Sequence, residues 1–191
     1  MGTVERRQRQ KAQLRRDILA AARQMFAEEG YEHVTMRKLA ARIEYSPTAI
    51  YLHFKDKQAV LEAVCEETFA NLAERLGKLE ARKLPPLDYL RAGLRLYVSF
   101  GLEHPDDYTL TFSMRQGHAE ADPEGFAASA GDRAFDYLRQ AFRRCIESGD
   151  LPAHDVDVAA QSTWAAMHGL VSLFIAHEHF PWASRKKLVE H

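Results

Sequence analysis

Apolar residues recur at every third or fourth position along most of the chain, and this period is the strongest constraint on its fold. The clearest runs are Leu14–Met25, Leu61–Leu79, Leu87–Gly101 and Phe135–Ile146. This spacing is that of one face of an α-helix. The seven prolines mark boundaries between helical runs, and neither an alternating apolar pattern nor a hairpin dipeptide indicates a strand. We therefore predict an all-α fold of about nine helices.

Charge is divided unevenly between two parts of the chain. The 191 residues carry 26 Lys plus Arg and 27 Asp plus Glu, a net charge of -1. Residues 1–60 hold 12 of the basic and 7 of the acidic residues, a net of +5, which leaves -6 for residues 61–191. Opposite charge in the two parts predicts an anion-binding domain at 1–60 joined to a larger acidic domain at 61–191.

Several classes of protein are disfavoured. The motifs of zinc proteases, α/β-hydrolases, phosphate-binding loops and dinucleotide-binding folds do not occur in the sequence. The nine histidines are scattered, and His177 and His179 point to different helix faces, so they form a poor metal pair. We expect neither an enzyme nor a metal site, and we assign no cofactor.

The cysteines and the distribution of charged residues indicate the cellular location of the protein. Cys65 and Cys145 are too few for a disulfide framework, so we expect free thiols in a reducing compartment and a cytoplasmic location. We take no stretch of 18 residues to lack charge, and we therefore expect no membrane-spanning helix. The basic N-terminus precedes no apolar segment, so we expect no secretory signal.

The sequence predicts two short helices joined by a turn at residues 44–45. Thr35 caps a helix over residues 36–43, and Ser46 caps a second helix with Pro47 at its first position. Helices of two turns are marginal alone, so they require the long first helix as a packing partner. The residues predicted to be buried between these helices are Leu39, Ile43, Ile50 and Phe54. This arrangement is a helix-turn-helix.

Burial of Ile50 and Phe54 turns the opposite side of the second short helix toward solvent. The outward residues are then Ser46, Pro47, Thr48, Tyr51 and His53. An exposed aromatic residue beside hydroxyl groups, in basic surroundings, suits the major groove of DNA, which an α-helix is slim enough to enter. The sequence therefore predicts double-stranded DNA as the partner of the N-terminal domain.

The segment from Ile18 to Val64 resembles the tetracycline-repressor (TetR) family of bacterial transcription regulators. After a long first helix it has the family's features in order: Gly30-Tyr31, Thr35, Leu39-Ala40, Ser46, Ile50-Tyr51, Phe54 and Lys57. It departs from the family at Glu44, where members commonly have glycine. The pair Pro47-Thr48 is a second departure and suggests a base preference of its own.

The resemblance implies which residues contact DNA. These are Thr35, Arg37, Ser46, Pro47, Thr48, Tyr51, His53 and Lys57. The three from Ser46 to Thr48 lie at the base-reading end of the helix, and the others meet the DNA backbone. The competing interpretation of Tyr51 and His53 is that they are merely exposed. The basic segment Arg6–Arg16 is either an ordered DNA contact or a disordered tail of general electrostatic value.

The C-terminal part carries a second, shorter resemblance. Residues 164–169, WAAMHG, resemble the Trp–His–Gly signature of one C-terminal domain type within the same family. In that family this helix and the next form a four-helix dimer interface. The stretch Asp155–His179 is apolar nearly all round, which indicates neighbours on both sides. We therefore expect a homodimer whose interface includes Gly169, Leu170 and Phe174.

Aromatic residues of the middle helices predict an effector pocket. Its candidate lining residues are Tyr97, Phe100, Tyr108, Phe112, Met114, Trp164 and His168. Apolar walls with few polar groups fit a small hydrophobic or aromatic ligand. The competing interpretation is ordinary core packing, with His168 as a hydrogen-bonded core histidine.

Together these features predict a DNA-binding transcriptional regulator, not an enzyme. In its expected form it is a repressor that binds a palindromic operator as a homodimer and is released by a small hydrophobic or aromatic effector. Two alternatives stay open, a thiol switch at Cys65 or Cys145 and a DNA-binding protein that responds to no ligand.

Overall fold

The computed structural model of the chain describes residues 3–113 and 129–190. Regular structure within these ranges is helical, with no strand, which confirms the predicted fold class. A single-turn 3₁₀ helix at Tyr31–His33 accompanies nine α-helices in the described residues. They are α1 (Thr3–Glu29), α2 (Met36–Arg42), α3 (Pro47–Tyr51), α4 (Lys57–Glu80), α5 (Pro86–Glu103), α6 (Pro105–Ser113), α7 (Ala130–Glu147), α8 (Val156–Ala176) and α9 (Arg185–Glu190).

The predicted helix ends have local causes in the sequence. Gly30 follows α1 with φ 78°, and Gly149 follows α7 with φ 80°. Both angles are in the left-handed region, where a residue without Cβ meets no steric penalty. At the other end of α7, Ser129 caps the helix by accepting a hydrogen bond from the Asp132 amide at 3.1 Å.

The chain divides into two compact units. The first comprises the described residues up to Glu67 and those from Leu110 to 113. Its core lies among α1, α2, α3 and the start of α4, where Phe26, Leu39 and Ile50 are fully buried. Leu39, Ile50 and Phe54 are buried as predicted, and Ile43 packs against this core while only partly buried.

The second unit comprises Thr68–Thr109 and the described residues from 129 onward. Helices α5, α7 and α8 pack against one another, and α9 packs on α5. One core cluster of this unit includes Tyr89, Phe142 and Cys145. At Gly101 the backbone of α5 comes so near to Val171 of α8 and Tyr108 of α6 that an added Cβ would lie 2.6 Å and 2.9 Å from their side chains.

Helix α4 contributes residues to both units without a break, from Val60 and Val64 in the first to Leu72 and Leu76 in the second. The domain boundary predicted at residues 60 and 61 stays a prediction, because no local structure marks it within this continuous helix. The loop expected at 116–125 lies outside the described residues.

Helix α8 is the part of the described structure that tests the expectation of no membrane-spanning helix. Residues 158–177 contain no Asp, Glu, Lys or Arg, and α8 is the one described helix that is long and apolar enough to cross a membrane. The premise of that expectation, that every stretch of 18 residues contains a charged residue, is therefore wrong for this segment. Length and composition alone are weak evidence for a span, because a core helix of a soluble protein passes the same test.

Candidate functional site

The first unit contains the predicted helix-turn-helix. The hydroxyl of Thr35 accepts a hydrogen bond from the Lys38 amide at 3.2 Å, and that of Ser46 accepts one from the Ala49 amide at 3.2 Å. These bonds begin α2 and α3, as the sequence predicts. Helix α3 ends at Tyr51, earlier than the predicted end near Phe54, although the Phe54 amide still donates to the Ile50 carbonyl at 3.0 Å.

The turn between α2 and α3 has a strained residue. Glu44 adopts φ 59°, in the left-handed region that favours glycine. A side chain in this region costs roughly 1–2 kcal/mol relative to an ordinary conformation. Glu44 therefore differs from the family in its side chain, while its backbone still adopts a glycine-like angle. The turn is closed by hydrogen bonds from the Glu44 amide to the Ala41 carbonyl at 3.2 Å and from the Tyr45 amide to the Ala40 carbonyl at 3.0 Å.

Most residues predicted to face outward on α3 are exposed. Ser46, Pro47 and Thr48 are exposed, and Tyr51 has 53% of its surface exposed. His53 is only half-buried, and its pKa is lowered by burial and by the nearby charges of Lys11 and Arg15. Both causes favour the neutral form of the His53 imidazole.

Two of the predicted phosphate contacts are engaged within the first unit. The Lys57 ammonium donates a hydrogen bond to the Tyr31 carbonyl at 2.7 Å and lies 4.0 Å from the centre of the Tyr31 ring. The Thr35 hydroxyl serves as the cap of α2. Arg37 is exposed. Lys57 therefore contributes to the packing of the unit in addition to any contact with DNA.

The basic segment Arg6–Arg16 is helical and continuous with the rest of α1. The structure thus gives it a regular conformation, where the sequence left a disordered tail open. The Arg15 guanidinium lies 4.5 Å from the centre of the Phe54 ring, directly after α3. This contact places part of the basic segment beside the predicted DNA-reading surface.

In the second unit, four predicted pocket residues form one hydrogen-bonded chain. The Trp164 indole donates to the Tyr97 hydroxyl at 3.2 Å, and the Tyr97 and Tyr108 hydroxyls are 2.9 Å apart. The Tyr108 hydroxyl lies 2.6 Å from Nδ1 of His168, and Ser172 Oγ lies 3.4 Å from Nε2. The sequence interpretation missed Ser172, although its spacing of four residues from His168 could have indicated it.

Because the indole can only donate, one direction satisfies every member of this chain. Tyr97 accepts from Trp164, which leaves its own proton for Tyr108, and Tyr108 can then donate to Nδ1 of a neutral His168. Burial raises the pKa of Tyr97 and Tyr108 and lowers that of His168. All three shifts favour neutral groups. The site is therefore more polar than the apolar pocket predicted from sequence.

The remaining pocket candidates do not join this chain. Phe100 is buried beside His104, with ring centres 5.2 Å apart, and the Arg75 guanidinium lies 5.2 Å from its ring centre. Phe112 belongs to the first unit, whereas the hydrogen-bonded residues belong to the second. Met114 lies outside the described residues.

Helix α8 has an apolar side that the described residues of the chain leave uncovered. Val158 is 52% exposed and Leu173 is 46% exposed. No heavy atom lies within 4 Å of the position that a Cβ on Gly169 would occupy, and Leu170 is half-buried. Phe174 differs from the prediction, because it is buried in its own subunit, with its ring centre 4.9 Å from that of Trp182.

The two cysteines are buried and are not joined by a disulfide. Burial raises the pKa of the Cys145 thiol, which lowers its thiolate fraction. Reactive sensor cysteines have the opposite features, a low pKa and access to solvent. The structure therefore gives no support to the thiol-switch alternative.

A capped helix-turn-helix with an exposed second helix, supported by a long basic first helix, defines a DNA-binding protein of the helix-turn-helix class. Comparison with known proteins agrees. Residues 18–64 match the family described as bacterial regulatory proteins, tetR family, and residues 90–191 match the tetracyclin repressor-like C-terminal domain. The chain belongs to the TetR family of transcriptional regulators, as the sequence predicted.

Curated relatives differ in how much of their length the chain spans. It is 34% identical over 125 residues to the HTH-type transcriptional repressor Rv1474c of Mycobacterium tuberculosis, covering 62% of this chain and 63% of that protein. It is 30% identical over 170 residues to the nucleoid occlusion factor SlmA of Sodalis glossinidius, covering 86% of this chain and 84% of that protein. The chain therefore spans less than two thirds of the first relative and more than four fifths of the second.

Solved structures share the fold over nearly the whole chain. A protein of unknown function from Rhodococcus sp. RHA1 has a TM-score of 0.78 and 26% identity, covering 93% of this chain and 90% of that one. The regulator FadR of Bacillus subtilis, in complex with stearoyl-CoA, has a TM-score of 0.78 and 21% identity, covering 91% of this chain and 95% of that one. The second likeness shows the fold alone.

Proposed function

We propose that this protein is a cytoplasmic transcriptional repressor that binds a palindromic operator as a homodimer and releases it when a small effector binds. The observation that carries the DNA-binding part is the exposed side of α3, where Ser46 caps the helix and Thr48 and Tyr51 face solvent. A helix with exposed hydroxyl and aromatic groups at its start can place them against base edges and phosphates in the major groove.

The DNA-binding part is tested with a duplex that the wild-type chain selects from a random library. Thr48→Ala combined with Tyr51→Ala removes the outward side chains of α3 and leaves the buried Ile50 in place. Gln24→Ala removes an exposed side chain of α1 as the control, and Glu28 is kept because it also pairs with Arg42 of α2 at 3.7 Å. We expect the first variant to lose sequence-specific binding and the second to retain it. Equal binding by both variants would refute the assignment of α3 as the reading helix.

The homodimer is supported by the uncovered apolar side of α8. Exposed apolar area of this kind is stabilised when a second copy covers it, and a two-fold axis brings the same face of both subunits together. Gly169 lies on this helix with open space beyond it, which would allow another helix to approach closely. Two subunits would place two copies of α3 about one turn of DNA apart, roughly 34–36 Å, which explains the expected palindrome.

The dimer is tested by a substitution that the single chain can accommodate. Gly169→Arg adds a side chain where no atom lies within 4 Å, so the subunit should still fold. Ala70→Arg places the same side chain at an exposed position of α4 and is the matched control. We expect sedimentation to show a monomer for Gly169→Arg and a dimer for Ala70→Arg. A dimer in both cases would exclude this face of α8 as the interface.

An effector site at the Trp164–Tyr97–Tyr108–His168 chain is supported by the combination of hydrogen-bonding groups with the buried aromatic rings of Tyr97 and Tyr108. Such a combination fits a ligand with an apolar body and one group that exchanges hydrogen bonds with this chain. The Bacillus subtilis FadR structure, which shares the fold, contains stearoyl-CoA. We therefore take long-chain acyl-CoA as the first probe, with small aromatic compounds as the second.

Fluorescence can report binding at this site, because the chain has two tryptophans. A ligand beside Trp164 should change the emission of wild type and of Trp182→Phe, and should leave that of Trp164→Phe unchanged. The same ligand should raise the melting temperature and weaken operator binding. A signal that persists in Trp164→Phe would place the ligand elsewhere.

The coupling between ligand and DNA would pass through α4, which is one uninterrupted helix with residues in both compact units. A ligand that shifts the second half of this helix would also displace the first. Coupling free energies of about 1–3 kcal/mol are typical and correspond to roughly 5- to 150-fold in affinity. A probe that binds free and operator-bound protein equally would contradict this mechanism.

A further inference from the structure

The start of α1 is a projecting basic helix. All residues from Val4 to Gln13 are exposed, and Leu14 is the first residue of α1 that is partly buried. This projecting segment spans about 15 Å at 1.5 Å per residue. It contains Arg6, Arg7, Arg9 and Lys11 against the single acidic residue Glu5. It therefore has a strong positive charge and contributes nothing to the core.

The basic residues of this helix fall on two opposite sides. At 100° per residue, Arg7, Lys11 and Arg15 share one side, which also contains the buried Ile18. Arg6 and Arg9 lie on the other side. The three residues Arg7, Lys11 and Arg15 are called the basic stripe below.

Contacts at one end of the basic stripe place it beside the DNA-reading helix. The Arg15 guanidinium lies 4.5 Å from the ring centre of Phe54, which follows α3. Lys11 and Arg15 both act electrostatically on His53, the residue before Phe54. The stripe is therefore a continuation of the surface that α3 presents.

We propose that the basic stripe binds phosphates of the operator DNA outside the groove that α3 enters. This proposal rests on the proposed function. From Arg7 to Arg15 the stripe extends about 12 Å along α1, which matches the rise of three or four base pairs along the duplex axis, at about 3.4 Å for each phosphate of one strand. Like charges four residues apart destabilise an isolated helix, and a polyanion removes that repulsion. The stripe gives each subunit an additional contact region that is independent of base sequence.

The variant that tests the stripe is Arg7→Gln combined with Lys11→Gln, because both residues are exposed and neither packs on the core. Arg15 is left in place, since it stacks on Phe54. The matched control, Arg6→Gln combined with Arg9→Gln, removes the same charge from the other side of the same helix. Circular dichroism of both variants checks that α1 remains helical.

Affinity for the duplex selected by wild type is measured over a range of salt concentrations. Each phosphate contact contributes about 0.9 to the slope of log affinity against log salt. The stripe variant should therefore lose about 1.8 from the slope and bind roughly 20-fold more weakly near 0.2 M salt. The control should keep the wild-type slope to within about 0.5, a margin set below the loss of one contact.

Three results would overturn the proposal. One is a wild-type slope in the stripe variant, and another is an equal loss in both variants, which would indicate general electrostatic attraction. The third is an altered oligomeric state in the stripe variant alone, which would indicate that the stripe contacts the acidic part of a second copy. Failure of the proposed function is distinguishable, because wild type itself would then select no duplex.

Discussion

Gly101→Ala tests whether the close approach of three helices in the second unit limits its stability. An alanine Cβ at this position would lie 2.6 Å from Val171 Cγ1 and 2.9 Å from Tyr108 Cδ2. Ordinary contacts between carbon atoms are about 3.5–4.0 Å, so both contacts overlap by roughly 0.6–1 Å or more. Val171 and Tyr108 are buried, and Tyr108 is hydrogen-bonded to Tyr97 and His168, so neither side chain can turn into solvent.

Gly93→Ala is the matched control, because Gly93 lies on the same helix and the nearest described neighbour of its Cβ would be Leu76 Cδ2 at 4.0 Å, an ordinary contact. Both substitutions gain about 0.8–1 kcal/mol of helix propensity. Gly101→Ala also carries an overpacking cost of about 1–3 kcal/mol. We expect Gly93→Ala to be neutral or stabilised, and Gly101→Ala to be less stable than that control by about 1–3 kcal/mol.

Urea unfolding of both variants at one protein concentration measures this difference, and thermal unfolding should separate them by roughly 2–12 °C at about 2–4 °C per kcal/mol. Constant concentration is needed because the unfolding of a dimer depends on it. If Gly101→Ala is as stable as Gly93→Ala, the three helices can move apart at little cost, and the reasoning from their close approach is wrong.

Three further substitutions give defined outcomes. Tyr108→Phe removes the hydroxyl between Tyr97 and His168 and should lower the free energy of unfolding by about 2–3 kcal/mol, measured by urea titration. Glu44→Gly relieves the left-handed backbone at φ 59° and should raise it by about 0.5–1 kcal/mol; an unchanged midpoint would show that Glu44 is not strained. Burial lowers the pKa of His168 below the ordinary histidine value of about 6.5. Near that pH the unfolded chain therefore binds more protons than the folded chain, so the free energy of unfolding should fall as the pH drops through that region. His168→Gln should flatten this part of the curve, and an unchanged curve would mean that His168 does not titrate differently on folding.

The helix-turn-helix could be predicted from the sequence because its determinants are local. Thr35 and Ser46 can cap only the N-terminal end of a helix. Pro47 is tolerated at the first helical position because an N–H at that position would have no partner within the helix. The positions of the apolar residues, Leu39 on one helix and Ile50 and Phe54 on the other, then decide which side of each short helix is buried. The side opposite to them must face solvent, which is how Thr48 and Tyr51 were assigned to the DNA-reading face.

The chemistry of the second unit could not be predicted in this way. Tyr97 and Tyr108 lie on different helices, and Trp164 is far from both in the chain. A tyrosine at helical spacing gives the same sequence pattern whether or not its hydroxyl is hydrogen-bonded. The sequence therefore grouped them correctly as neighbours but described the site as apolar. It also assigned Phe174 to a partner's surface, whereas its ring packs on Trp182 within the same subunit.

The sequence by itself determined the helices, their caps and the outward face of α3, because each depends on residues within four or five positions of one another. Tertiary structure alone decided that Lys57 binds the Tyr31 carbonyl, that Arg15 stacks on Phe54, and that Tyr108 joins Tyr97 to His168. These contacts depend on how helices cross, and the crossing is set by shape and volume at close-packed positions such as Gly101, which no local pattern records.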